Sequence, residues 1–262
     1  MITYLILLVQ AAMGLVERLA PRRPFSHGVA TRWLGNFGLA AGGIALASGL
    51  IAVGGSVTVA IWCAQNEVGL LYRLADPPPL AAQVVLAFVA LDVCMWLQHW
   101  IQHKVPFLWR AHRVHHTDLD VDFTTSFRFH PFEAVWAVAW RSLLVAVLGL
   151  PIAGVLLYQL VLQLVGPLSH ASLRIPERVD AVARKLLVTP DLHRVHHSAR
   201  APETDRNFGV VLSVWDRLFR TYQAQPEKGH LDMELGLQGH RDPRALHLGQ
   251  LLILPFRPQD ER

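Results

Sequence analysis

Residues Asp92–His116 read DVCMWLQHWIQHKVPFLWRAHRVHH, and His99, His103, His112, His115 and His116 all fall inside this stretch. A second run, His193-Arg194-Val195-His196-His197, repeats the pentad HRVHH that ends the first. On a helix, residues i, i+3 and i+4 share one face. The spacing therefore predicts three imidazole stripes: His99/His103, His112/His115/His116 and His193/His196/His197. A single buried histidine is ordinarily a hydrogen-bonded core residue. Eight in three clusters are what a helical scaffold presents to metal. A structural zinc takes four ligands and a catalytic zinc three, so the count fits two adjacent metals better than one. Imidazole suits iron, zinc and copper alike, and ligand type alone leaves the metal open.

The 262-residue chain is 52% apolar and only 17% charged, with a mean hydropathy of +0.31. That is richer in apolar residues than an average soluble domain. The net charge is +4, but the arginines are dispersed and no nucleic-acid motif is present, so no nucleic-acid partner is expected. In a membrane protein, basic loops mark the cytoplasmic side. The two cysteines, Cys63 and Cys94, each sit in an apolar stretch, which argues against a disulfide scaffold. They are too few for a four-cysteine iron–sulfur cluster, and no HPGG haem-binding segment occurs, so redox chemistry would need electrons from another protein. There is no GxSxG elbow, P-loop, dinucleotide fingerprint or HExxH motif.

The apolar segments around the boxes predict the architecture. The start, MITYLILLVQAAMGLVERLAPRR, places its charges after the apolar run, which is a retained membrane segment rather than a secretory signal. Residues 34–64 carry no charge and form either one tilted helix or two half-helices turning near Gly54-Gly55. A third apolar helix is expected from Leu80 to Trp100, with His99 and His103 at its end. Residues 134–169 are apolar but for Arg141 and are broken at Gly149-Leu150-Pro151, which predicts a helical hairpin ending at His170. The expected fold is an all-α integral membrane bundle of about four crossings, with a helical cap carrying the metal site. One membrane-embedded domain covers residues 1–262, of which 225–262 read as a polar tail. Arg18, Arg22, Arg23 and Arg32 place the loop 17–33 in the cytoplasm, and every candidate ligand then falls on that face.

Further candidates surround the boxes. In Arg128-Phe129-His130-Pro131-Phe132-Glu133, Pro131 and Glu133 suit the start of a helix. His130 is therefore the expected ligand of that segment. His170, at the end of the returning helix, is another. Asp92 lies two turns before His99 on the same face and is expected to be an outer partner of the histidines. Asp118, Asp120 and Asp122 read as a solvated loop, and Asp191 as part of a helix start. Residues 171–192, with Arg174, Arg178, Arg184 and Lys185, read as a basic amphipathic helix on the surface. Trp215 and Phe219 should pack beneath the site, while His27, His230, His240 and His247 are expected at the surface.

The order of these pieces resembles the fatty acid hydroxylase/sterol desaturase superfamily of membrane di-iron, histidine-box enzymes. They are His99/His103; Leu108-Trp109-Arg110 with His112/His115/His116; His130-Pro131-Phe132-Glu133; His170; His193/His196/His197; and Asn207-Phe208-Gly209 followed by Trp215-Asp216-Arg217-Leu218-Phe219. The likeness covers roughly residues 88–222. Trp100 and Arg220 stand where members often have Arg and Gly, but neither replaces a ligand. The resemblance implies two iron ions, O2 as co-substrate, a membrane lipid substrate (fatty acyl or sterol-like) and a separate donor of reductase, cytochrome or ferredoxin type. Hydroxylation is the expected reaction, and desaturation is the alternative on the same centre. A non-catalytic metal-binding or transport protein is the reading from another class. Transporters place polar ligands near the bilayer midplane, whereas these histidines sit at helix ends.

Overall fold

A computed structural model describes residues 1–258, apart from the side chains of residues 50, 51 and 53. The elements that position the site are α1 Ile2–Leu19, α2 Val29–Gly54, α3 Ser56–Asn66, α4 Leu80–Lys104, α5 Pro106–His116, α6 Pro131–Leu148, α7 Ile152–His170, α8 Glu177–Ala183 and α9 Pro190–His196. No strand occurs among the described residues, only three isolated bridges. Among the described residues four helices, α1, α4, α6 and α7, are long and apolar enough to cross a membrane. The uncharged run 34–64 resolves into α2 and α3, which meet at Gly55.

α2 lies along α6, α4 along α7, and α3 against both α6 and α7. The hairpin between α6 and α7 turns on Gly149, whose φ of 67° is the left-handed region that glycine enters without strain. A side chain there would collide with Tyr72 and the Val68 carbonyl, each 2.8 Å from an added Cβ. The core between the helices is apolar, with Leu91, Val145, Leu150, Val155 and Tyr158 buried in one cluster.

The histidine-bearing cap is tied to the helices by buried acids. Asp92 accepts from the Tyr158 hydroxyl (3.1 Å), the Leu212 amide (3.0 Å) and the Trp215 indole (2.8 Å). It touches no histidine; it ties the cap to α4 and α7, which corrects the expected role. Asp216 accepts from the Trp96 indole, the Phe208 and Gly209 amides and the Thr221 hydroxyl. Phe219 stacks on Trp96, with centroids 4.3 Å apart.

Asp118, Asp120 and Asp122 do not form a solvated loop, because all three are buried. The fully buried Arg32 donates to Asp118 (2.6 and 2.9 Å) and to Asp122 (2.8 Å), and Arg18 also reaches Asp122. Burial alone would raise the pKa of Asp118. The adjacent Arg32 more than reverses this and holds the carboxyl well below the usual carboxylate range. Asp120 takes the backbone amides of Ser26 and His27 and the His27 ring, so His27 has a partner that sequence spacing could not show.

The remaining corrections lie toward the C-terminus. Of the expected amphipathic stretch 171–192 only Glu177–Ala183 and the first residues of α9, from Pro190, are helical, and Arg184 is buried. Asp191 pairs with Arg22 and Arg194, while Thr189 caps α9. The tail reads as polar yet is docked: Leu251 and Leu254 pack on Leu39 and Val114, and Arg113 donates to the carbonyls of Leu254, Arg257 and Pro258. His230 is buried rather than exposed. Residues 259–262 of that tail lie outside the described residues.

Candidate metal centre

Helix ends and one connecting residue deliver the histidines. α4 supplies His99 and His103, and α5, entered through Pro106 at its first position, supplies His112, His115 and His116. His170 is the last residue of α7; α9 gives His193 and His196, with His197 just after it. All nine are buried. Their ring atoms fall into two groups, His99/His103/His112/His116/His196 and His115/His170/His193/His197, each with one atom per residue within 4.8 Å of the others. Each HRVHH pentad is thus divided. The i, i+4 pair His112/His116 turns to one group and His115 to the other; His193/His197 and His196 divide the opposite way.

Burial, reinforced by neighbouring imidazoles, holds His115, His116, His193 and His197 far below the ordinary histidine range. His196 is lowered to about 3, chiefly by burial. These rings are neutral at neutral pH and keep a lone pair for a metal. Several show which nitrogen is available. His99 Nδ1 lies 2.9 Å from the Phe208 carbonyl, His196 Nδ1 2.8 Å from that of Arg206, and His170 Nδ1 2.7 Å from that of Gly166. A carbonyl only accepts, so Nδ1 carries the proton and Nε2 the lone pair. The Nε2 atoms of His99 and His196, and both ring nitrogens of His197, are buried with no protein partner. Neutral imidazoles with converging, unpartnered nitrogens fit a pair of nitrogen-ligated metal ions.

His130 stands outside both groups. Its Nε2 faces the Leu252 carbonyl at 3.2 Å, and its Nδ1 accepts from the Phe132 amide as the cap of α6. Glu133, also outside both groups, is an outer partner of the histidines: its Oε1 is 2.7 Å from His112 Nδ1 and 2.8 Å from Gln102 Nε2. Sequence reasoning weighed Glu133 only as a helix-start acid. It also had no means of finding the carbonyls of Arg206 and Phe208. Between them Asn207 adopts φ 54°, a left-handed conformation that asparagine tolerates. Its side chain donates to the carbonyls of Leu192 and Gln223.

A cavity of about 560 Å³ runs from the histidines between the long helices. His99, His112, His115, His170 and His193 close one end, and apolar residues such as Ile6, Leu39, Ala137 and Leu162 line its walls. A helical membrane bundle whose buried histidines meet an apolar cavity defines a class of membrane metalloprotein. The chain belongs to the fatty acid hydroxylase family, whose profile matches residues 84–221, just over half of it.

Among curated proteins, the chain is 29% identical over 164 residues to ornithine lipid hydroxylase OlsE of Rhizobium tropici, covering 63% of this chain and 48% of that one. It is 28% identical over 152 residues to alkylglycerol monooxygenase of Homo sapiens, covering 54% and 31%, and similarly related to the enzyme of that name in Xenopus tropicalis. The chain therefore matches about half, or less, of the length of these relatives. No solved structure matches it.

Proposed function

We propose that the protein is an oxygen-dependent hydroxylase of a membrane lipid, fatty acyl or sterol-like, acting through two iron ions held by the nine clustered histidines. The observation that carries this reading is the junction of the cavity with both histidine groups. Iron at such a site supplies the oxidising power to attack an unactivated C–H bond, which no side chain has.

The chain's own residues do the rest. The carbonyls of Phe208, Arg206 and Gly166 and the Glu133 carboxylate hold ring protons on Nδ1 and aim Nε2 inward. The cavity walls align an apolar chain and exclude water. The relatives' names, ornithine lipid hydroxylase and alkylglycerol monooxygenase, support a membrane lipid as substrate. Electrons come from a separate reductase, cytochrome or ferredoxin-type donor, because the chain's two cysteines cannot build a cluster. The arginine-rich loop 17–33 supports a cytoplasmic location for the histidine end, where such donors reside. The residues described act as one membrane-embedded unit.

The test is purified protein in lipid nanodiscs, loaded with iron and given a reductant, membrane lipid and isotopically labelled O2. Hydroxylation puts label into the lipid. A double bond formed without label assigns desaturation to the same centre. Iron bound without oxygen consumption, on any lipid, returns the protein to the non-catalytic metal-binding class.

A further inference from the structure

Arg141 is a charge in the middle of an apolar span, where ionisable residues mark function by default. It shares a face of α6 with Ala134, Ala137 and Val138, at i−7, i−4 and i−3, and all four line the cavity. Among the described residues its one hydrogen bond runs from Nη1 to the Met95 sulfur, at 3.7 Å. Among the described residues no carboxylate pairs with it. The acid on the facing helix, Asp92, is already engaged by Tyr158, Leu212 and Trp215. Two fully buried arginines are well partnered by contrast: Arg32 holds two aspartates, and Arg128 donates to Asn36, Thr117 and the Val114 carbonyl. An unpaired guanidinium in apolar surroundings carries a large desolvation cost, which a partner entering the cavity would offset.

A second observation points into the same space. Gln98 is 3% exposed and its Oε1, which can only accept, is buried without a protein donor, so it calls for a donor group on whatever enters the cavity. It lines the cavity from α4, one turn from Met95 and beside His99. Neither residue contributes to the metal groups.

We propose that Arg141 binds an oxyanion, carboxylate or phosphate, on the lipid substrate, with Gln98 Oε1 placed to accept from a hydroxyl or amine donor of the same headgroup. The guanidinium presents a planar fork of donors that matches such groups in bidentate fashion. The substrate class is then an anionic amphiphile rather than a neutral sterol or neutral ether lipid. Arg141 lies eight residues along α6 from Glu133, the partner of His112. That is about 12 Å of helix axis, so an anchored anion fixes which carbon faces the histidines. This inference rests on the reading of the cavity as the substrate channel.

Binding tests it without turnover. The full chain, in nanodiscs of uncharged lipid, is titrated with an n-alkyl carboxylate, an n-alkyl phosphate and an n-alkanol of equal chain length. Each competes against a neutral fluorescent alkyl probe. At least one anion is expected to bind about tenfold more tightly than the alcohol, as a charge-assisted bond implies, and the tighter anion names the source. R141Q should erase that preference and leave alcohol binding within about twofold, while R141K retains part of it. Equal binding of anions and alcohol by the unmodified protein overturns the proposal, as does a preference that survives in R141Q. Should R141Q lose all binding, the unmodified protein and R141K decide between these outcomes. Failure of the oxygen-labelling experiment on every lipid would leave these affinities standing, so the two readings fail separately.

Discussion

The two histidine groups are similar in size but are held differently. In the five-membered group, His99, His112 and His196 each have Nδ1 on a carbonyl or carboxylate, His103 Nδ1 lies 3.3 Å from Asp205, and His116 Nδ1 is buried without a hydrogen-bond partner. In the four-membered group only His170 is held in this way, while the Nδ1 atoms of His115, His193 and His197 are buried without partners. Those three are oriented by ring packing instead. His115 stacks on Phe129 at 4.6 Å, His197 on His116 at 4.7 Å and His193 on His196 at 5.3 Å. A hydrogen bond on the outer nitrogen fixes the tautomer and raises ligand basicity, whereas stacking fixes only the ring plane. The lesson is an asymmetric centre: one set of nitrogens is ready for metal, and the other is ordered in part through the first.

The largest expected effects separate the groups directly. Titration of metal-free protein with ferrous iron is expected to show two steps, the tighter at the five-membered group. His116→Ala should remove the tighter step and His193→Ala the weaker, and each should abolish turnover. Calorimetric titration with iron analysis checks this. Loss of the same step in both variants would show that the groups load as one unit and would break the comparison.

Removing a single outer partner sharpens it. Glu133→Ala leaves all nine rings in place but strips His112 of its acceptor and Gln102 of its own. The tighter step is expected to weaken by about 10–100-fold, with the second step shifted much less. Equal weakening of both steps would mean that Glu133 supports the cap as a whole rather than the His112 ring.

The sequence makes the ligand rings legible because helical periodicity is written in side chains. His99/His103, the two pentads and the hairpin end at His170 all register in it. The grouping is not legible, since the division of each pentad depends on how α5 and α9 are rotated about their axes. Outer partners that are backbone carbonyls carry no residue identity, so Phe208, Arg206 and Gly166 could not be singled out. Buried ions were misread for a related reason. Asp118 and Asp122 look like a polar loop because their cations, Arg18 and Arg32, lie 86–104 residues away in the chain. The docked tail was misread likewise, as Leu251 and Leu254 find Leu39 and Val114 only in three dimensions.

The smallest effect is expected at His130, which lies in a box-like segment and yet serves neither group. The Leu252 carbonyl can only accept, so Nε2 carries the proton, and the remaining lone pair, on Nδ1, takes the Phe132 amide. Both nitrogens are in use and no lone pair is left for a metal. His130→Ala should keep both titration steps and cost about 1 kcal/mol of stability, the usual loss of a helix cap. The effect should depend on pH in a defined direction. Burial lowers the pKa of His130 below its ordinary 6.5, so the unfolded chain binds this proton more readily. The stability it contributes is fully present above pH ~6.5 and falls as the pH drops below that value toward its lowered pKa. Thermal melts of the two proteins should therefore differ most near neutral pH and converge on acidification. A loss of iron in His130→Ala at neutral pH would instead return this residue to the metal centre.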